Sequence, residues 1–296
     1  MRPSRSLTCI LPLLLVLTGF GGLSAPQVTL PNAKDSLKFA IIGDSGTGTT
    51  SEYTVAKQLT ASRAAFPYEF VLMMGDNLYG GSRPKDFEKK FEEPYKPLLD
   101  AGIKFYAALG NHDNPNERFY KAWNMGGERF YTFKPKLGVR IFALDSNYMD
   151  KSQLDWLEKE LAASGSDWKI CFFHHPIYSS GGAHGSNLQL RAQLEPLFLK
   201  YGVDAVFAGH EHFYERIKPQ KGIYYFTSGG AAKLREGDVG RSELTAKAFD
   251  TGYHFMLIEL VKNTLNFQVI SDQGKTVDSG ALPRFSDADK KRLATQ

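Results

Sequence analysis

At 296 residues the chain is long enough to bury a large core, in one large domain or two small ones. With 42% hydrophobic and 23% charged residues its composition is that of a folded protein, which excludes wholesale disorder. Its formal charge of +4, with no long basic run, is too small to suggest a nucleic-acid surface.

The first 25 residues read as a secretory leader. Arg2 and Arg5 precede the apolar run "LTCILPLLLVL", and the small residues Gly21, Gly22, Ser24 and Ala25 form a cleavage zone. Pro26 disfavours cutting directly after Ala25, so Ser24 or a point slightly upstream serves equally. The run is too short to span a bilayer comfortably, and an uncleaved anchor is the alternative. The two arginines are not adjacent, which argues against a twin-arginine signal. Cleavage would lower the charge to +2 and remove Cys9, leaving Cys171 without a partner for an intramolecular disulfide. The expected product, residues 26–296, is a single catalytic domain, secreted or periplasmic.

Beyond the leader, short apolar runs alternate with helical patterns. "KFAIIGD" (38–44) predicts a strand, 51–65 a helix, and "FVLMMGD" (70–76) a second strand. A charged helical stretch follows around "PKDFEKKFEEPY". "KFYAALGNHD" (104–113) is the third strand, and 130–146 has the pattern of a hairpin. In "SQLDWLEKELAAS", Leu154, Leu157 and Leu161 mark one helical face. Next come a strand at 168–174, a helix at 188–201, and strands at 204–210 and 222–230. "YHFMLIELVKNTLNFQVISDQG" gives two strands around a Lys-Asn turn, and "SDADKKRLATQ" a surface helix or a frayed tail. This order points to an α/β layered fold. Internal repeats and low-complexity linkers are lacking.

The ends of these strands carry the chemistry. They close in Gly43-Asp44-Ser45-Gly46, Gly75-Asp76-Asn77-Leu78-Tyr79, Gly110-Asn111-His112-Asp113, His174-His175-Pro176 and Gly209-His210-Glu211-His212. Turns favour Asn and Asp for ordinary reasons, but a histidine between them has no turn-forming task. Open α/β sheets gather ligand groups beyond the carboxyl ends of their strands. Carboxylates, an amide oxygen and imidazoles suit hard to borderline cations such as iron, zinc or manganese. In an extended segment residues two apart point the same way, so His210 and His212 would both face a metal pair while Glu211 points elsewhere.

The five motifs, in this order, resemble the calcineurin-like metallophosphoesterase superfamily, and within it the purple acid phosphatases, including the tartrate-resistant type. The resemblance runs from about Lys38 to about Gly230. It implies a sandwich of two mixed β-sheets flanked by helices. It also implies a dinuclear centre of Fe(III) with a divalent iron, zinc or manganese. By correspondence Asp76 bridges the metals. Asp44, Tyr79 and His212 complete one site, and Asn111, His174 and His210 the other. The family ligand lies two residues before a proline, which selects His174 over His175. Many phosphodiesterase-like relatives carry a histidine two residues after the first Asp. Here Gly46 stands in that place, and Tyr79 offers a phenolate suited to Fe(III).

The same resemblance gives His112 and His184 the roles of phosphate binding and proton donation, either being the principal donor, with Asn111 also contacting substrate. His175 and His254 belong to no motif and are read as structural, although His175 sits close to the ligands. Asp145 is either a turn cap or a support for the site. Two departures stand out. "KFAIIGD" follows the leader too closely for the extra N-terminal β domain of many plant members. Only "SNYMDK" occupies the place of the long loop that is clipped in mammalian tartrate-resistant enzymes.

The expected function is therefore that of an exported acid phosphatase hydrolysing small phosphomonoesters by attack of a metal-bound hydroxide. No nucleic-acid partner is implied, and no stable membrane insertion once the leader is removed. A phosphodiesterase or nucleotide pyrophosphatase on the same scaffold is one alternative. A phosphate-ester binder without turnover is the other.

Overall fold

All six residues of β1 (Leu37–Ile42) are buried, because both faces of this strand are covered. Side chains alternate across a strand, so Phe39 and Ile41 point one way and Ala40 and Ile42 the other. A strand that must be apolar on both faces reads as a continuous hydrophobic run. The same holds for β2 (Phe70–Met73), β6 (Trp168–Phe173), β7 (Ala205–Ala208) and β9 (Ile223–Ser228).

The computed structural model describes residues 25–295. The leader expected over 1–25 falls outside them apart from Ala25. The remaining elements are α1 (Thr50–Ser62), α2 (Pro84–Phe87), α3 (Glu93–Asp100), β3 (Lys104–Ala107), β4 (Tyr131–Lys136), β5 (Val139–Ala143), α4 (Lys151–Ala162), α5 (Leu188–Tyr201), β8 (Tyr214–Gln220), β10 (Thr245–Phe249), β11 (His254–Val261), β12 (Thr264–Ser271), β13 (Thr276–Pro283) and α6 (Asp287–Ala294). A π-helical turn at Glu88–Glu92 joins α2 to α3.

The strands form two mixed sheets, as the family resemblance implied. One has the order β13-β12-β11-β1-β2-β3 and the other β10-β8-β9-β7-β6-β5-β4. Between them lies one core, where Phe39, Ile41, Phe70 and Leu72 of the first sheet meet Ile141, Ile170, Phe172 and Phe207 of the second. Phe39 stacks on Phe70 with ring centroids 5.2 Å apart. Fully burying such a side chain contributes roughly 1.5–3 kcal/mol. The outer face of the first sheet packs on α1 and α3 through Val55, Leu59, Tyr95 and Leu98. The outer face of the second packs on α4 and α5 through Leu157, Leu161, Leu194 and Phe198. Cys171 is buried in that layer as a free thiol.

Within each sheet the central strands run parallel: β1, β2 and β3 in one, and β5, β6, β7 and β9 in the other. Their carboxyl ends meet at one edge of the sandwich, and this is what positions the site. The hairpin expected at 130–146 is β4–β5, paired antiparallel. Three strands went unforeseen: β8, β10 and β13. The strands expected over 168–174 and 204–210 stop at Phe173 and Ala208, so His174 and His210 lie in the loops beyond them. Among the described residues no helix is long and apolar enough to cross a membrane.

Candidate metal centre

Three of the strand-end residues have left-handed backbones: Asp44 (φ +56°), Asp76 (φ +50°) and His210 (φ +69°). This region is uncommon for residues with a Cβ, and persists where surrounding bonds enforce it. Here the side chains and the backbone lock one another. Asp44 Oδ2 accepts the His210 N–H at 2.9 Å, and Asp76 Oδ1 accepts the His112 N–H at 2.9 Å. Asp113 ties the second motif to the third, accepting from Asn77 Nδ2 (2.8 Å), Leu78 N–H (2.9 Å) and Gly110 N–H (2.8 Å).

The candidate ligand atoms fall into two groups. Asp44, Asp76 and His212 present theirs within 4.8 Å of one another, and so do His174, His175 and His210. Asp76 touches both, since its Oδ1 is 3.4 Å from His174 Nε2. The Tyr79 hydroxyl joins the first group, donating to Asp44 Oδ1 at 3.1 Å and lying 3.4 Å from His212 Nε2. Asn111 Oδ1 joins the second, 2.9 Å from His174 Nε2.

His174 tests whether these residues fit a cation. Its Nδ1 is 2.9 Å from the Met74 carbonyl, which can only accept, so Nδ1 carries the proton. Burial foremost, then His175, pushes this imidazole well below its ordinary range, which leaves Nε2 as a bare lone pair. That lone pair faces Asn111 Oδ1 at 2.9 Å, His210 Nδ1 at 3.1 Å and Asp76 Oδ1 at 3.4 Å. Electron-rich atoms converging on a lone pair repel one another unless a cation lies among them. Fixing a ligand histidine through its other nitrogen to a backbone carbonyl is the usual way to orient it. The donor set fits a metal.

The first group shows the same frustration. Burial and then Asp76 raise Asp44 well above the carboxylate range. Burial, followed by Asp44 and Asp76, pushes the Tyr79 phenol upward, and a cation would reverse that. His212 is lowered to about 4, by burial and then by Arg235. At Gly46, the position where the family resemblance implies a histidine in phosphodiesterase-like relatives, no side chain fits. A Cβ on Gly46 would lie 1.7 Å from the Asn77 carbonyl oxygen.

His112 is exposed, with its ring 4.9 Å from that of Tyr79. The His184 ring lies 4.2 Å from that of His210, at the rim of the second group. His254 is buried away from the cluster, with Nε2 3.1 Å from Ser228 Oγ. Asp145 acts as a turn cap, accepting the Asn147 N–H at 3.0 Å, and also holds Arg129 at 3.0 Å. His175 belongs to the second group as well as to the wall beside it, with Nδ1 2.9 Å from Ser146 Oγ.

The route by which His210 and His212 reach the cluster differs from the expected one. The segment is not extended but bent, with a left-handed His210. Glu211 does point elsewhere, as expected. Its buried carboxylate lies 3.5 Å from His184 Nδ1 and 3.6 Å from Arg235, and it accepts the Gly185 N–H at 2.5 Å. Sequence reasoning also missed Lys233, whose ammonium sits 4.5 Å above the Tyr79 ring. It follows the β9 end Gly229-Gly230, which carries no ligand-type residue to draw notice.

Residues 37–214 match the family model of the calcineurin-like phosphoesterases. The chain is 26% identical to tartrate-resistant acid phosphatase type 5 of Rattus norvegicus, over 91% of this chain and 98% of that one. In structure it is similar to GAP50 of Plasmodium, the anchor in the inner membrane complex, with a TM-score of 0.76 and 21% identity over 88% of this chain and 94% of that one. It is also similar to the purple acid phosphatase PPD1 of yellow lupin (Lupinus luteus), with a TM-score of 0.70 and 20% identity over 88% of this chain and 56% of that one.

Proposed function

The chain belongs to the calcineurin-like phosphoesterase family, and from that premise we propose that it is an exported dinuclear-metal acid phosphatase acting on phosphomonoesters. Asp44, Tyr79 and His212 would hold one cation, Asn111, His174 and His210 the other, with Asp76 between them. The observation that carries this reading is the placement of the Tyr79 hydroxyl against both Asp44 and His212, beside a Gly46 that admits no competing ligand. A phenolate at that point suits Fe(III), so the proposed pair is Fe(III) with a divalent iron, zinc or manganese. When bound, such a pair supplies a nucleophile from water at low pH and neutralises phosphoryl charge.

The chain's own residues do the rest. The His112 backbone is pinned to Asp76, which sets its imidazole at the exposed side of the first group to bind phosphate. His184 turns Nδ1 toward Glu211, leaving Nε2 to give its proton to the departing alcohol oxygen. Water and the ester thus become alcohol and phosphate, and the histidine recovers its proton from solvent. General acid help of this kind contributes about 10²–10⁴ in rate. The similarity to a tartrate-resistant acid phosphatase over nearly the full length of both chains supports the monoester reading.

Metal analysis of the purified protein, with kcat/KM on aryl monoesters and bis-aryl diesters, tests it. Iron-containing protein that prefers monoesters is expected. A clear preference for diesters would move the assignment to a phosphodiesterase, and bound metal without turnover to a phosphate-ester binder.

A further inference from the structure

Beside the second ligand group the surface opens into a pocket of about 390 Å³, walled by residues 109–111, Asp113, Pro115, residues 145–148 and Asn187. This is the size of a small-molecule site. It is continuous with the candidate centre, because Asn111 and His175 belong to both.

Its chemistry is neutral to acidic. Asp113, bonded to three N–H groups, and Asp145, paired with Arg129, lie in its wall, and among the described residues no lysine or arginine lines it. A second phosphate on the leaving group would find no unpaired cation there, because the nearby Arg129 is already held by Asp145 and Asp150. What the wall offers is amides. Asn187 spends its Oδ1 on the Leu190 N–H at 2.9 Å, as the N-cap of α5, and keeps its amide N–H groups for a ligand. Asn147 spends Nδ2 on the carbonyls of Leu109 and Gly110, at 3.0 and 3.3 Å, and its buried Oδ1 has no partner. Amide donors and acceptors in one wall match hydroxyl groups, which donate and accept at once. Tyr148 adds an aromatic side chain that is 58% exposed, a flat apolar surface for the C–H face of a ring or polyol.

We propose that this pocket is the leaving-group subsite and that the preferred substrates are phosphate esters of neutral polyhydroxylated alcohols, that is, sugar and polyol phosphates. The proposal rests on the phosphomonoesterase reading above and narrows it.

The test is kcat/KM of the metal-loaded full chain on hexose 6-phosphate and glycerol phosphate, against pyrophosphate and a nucleoside diphosphate, with phenyl phosphate as a common reference. Sugar and polyol phosphates are expected to lead the two anionic substrates by at least about tenfold. In Tyr148→Ala and in Asn187→Asp, which keeps the cap oxygen but loses the amide donor, the ratio of hexose phosphate to phenyl phosphate should fall about tenfold. Tyr148 is largely exposed, so its removal leaves the fold readable by circular dichroism even if the Asn187 variant is unstable. Turnover of phenyl phosphate without the preference, or an unchanged ratio in both variants, overturns the pocket assignment alone. No monoester turnover at all overturns both readings.

Discussion

The carboxylate of Glu211, held between His210 and His212 in sequence, lies 3.5 Å from Nδ1 of His184, 27 residues earlier in the chain. Glu211 is fully buried, and the 181–185 loop is wrapped around it. A Cβ on Gly181 would come within 2.5 Å of its carboxylate, and Gly185 donates its N–H to it at 2.5 Å. Glu211 therefore positions the loop that carries the proposed proton donor.

Glu211→Gln keeps the shape and an oxygen for Gly185 but removes the charge beside His184. We expect kcat for esters of poor leaving groups to fall by about 10–100-fold, the scale found for residues that orient a functional group. Esters of good leaving groups should suffer less, and KM should change little. His184→Ala should show the same dependence on leaving group. A uniform loss across leaving groups would remove Glu211 from this role.

His112→Ala should lower kcat by about 10²–10⁴ with metal content nearly normal. Its imidazole is exposed, and only its backbone N–H bonds to a proposed ligand. Metal counting on the purified variant decides the matter. Loss of metal would make His112 a ligand and the proposed ligand set incomplete.

Introducing the histidine of the phosphodiesterase-like relatives, Gly46→His, should not create a ligand. Even Gly46→Ala drives a Cβ against the Asn77 carbonyl, and overpacking of this kind costs about 1–3 kcal/mol or more. Urea unfolding of Gly46→Ala should show a lowered midpoint. A stable variant with normal metal content would mean that the loop yields and that the glycine is not sterically required.

His254 predicts part of the acid sensitivity of the fold. Burial lowers it from 6.5 to about 4, so the unfolded chain binds its proton first. The stability it contributes is whole above pH 6.5 and is lost as pH falls from 6.5 toward 4. The loss reaches its full size, about 3 kcal/mol, only below pH 4, where the folded chain takes up the proton as well. His254→Asn retains a partner for Ser228 and should flatten that part of the stability profile in chemical unfolding at stepped pH. An unchanged slope between pH 6.5 and 4 would show that other groups set it.

The strand ends were legible in the sequence because β1, β2, β6 and β7 are buried on both faces and β3 on one, and all end abruptly in Gly-Asp, Gly-Asn or His motifs. β8, β10 and β13 were not legible for the opposite reason. β8 is "YERIKPQ", with three charged residues of seven, and β10 and β13 are edge strands in which no residue is buried. Charged, proline-bearing edges blunt unwanted pairing, and they blur the apolar pattern as well. In the site, the residue types of the motifs could be read, but their partners could not. That Glu211 meets His184, and that Lys233 covers Tyr79, depends on loops brought together by the meeting of two sheets. The bend at His210 was hidden for a similar reason. Its left-handed backbone is enforced by the carboxylate of Asp44, 166 residues away.

The central claim is that Tyr79 binds iron as a phenolate, and visible absorption of the iron-loaded, oxidised protein tests it most directly. A phenolate on Fe(III) passes charge to the metal on absorbing visible light, so the wild-type protein should be purple to pink. Tyr79→Phe, folded by circular dichroism, should be colourless with weaker iron retention. A wild-type protein that carries oxidised iron in full and shows no such band would contradict the assignment of Tyr79, and with it the placement of this chain among acid phosphatases rather than their phosphodiesterase relatives.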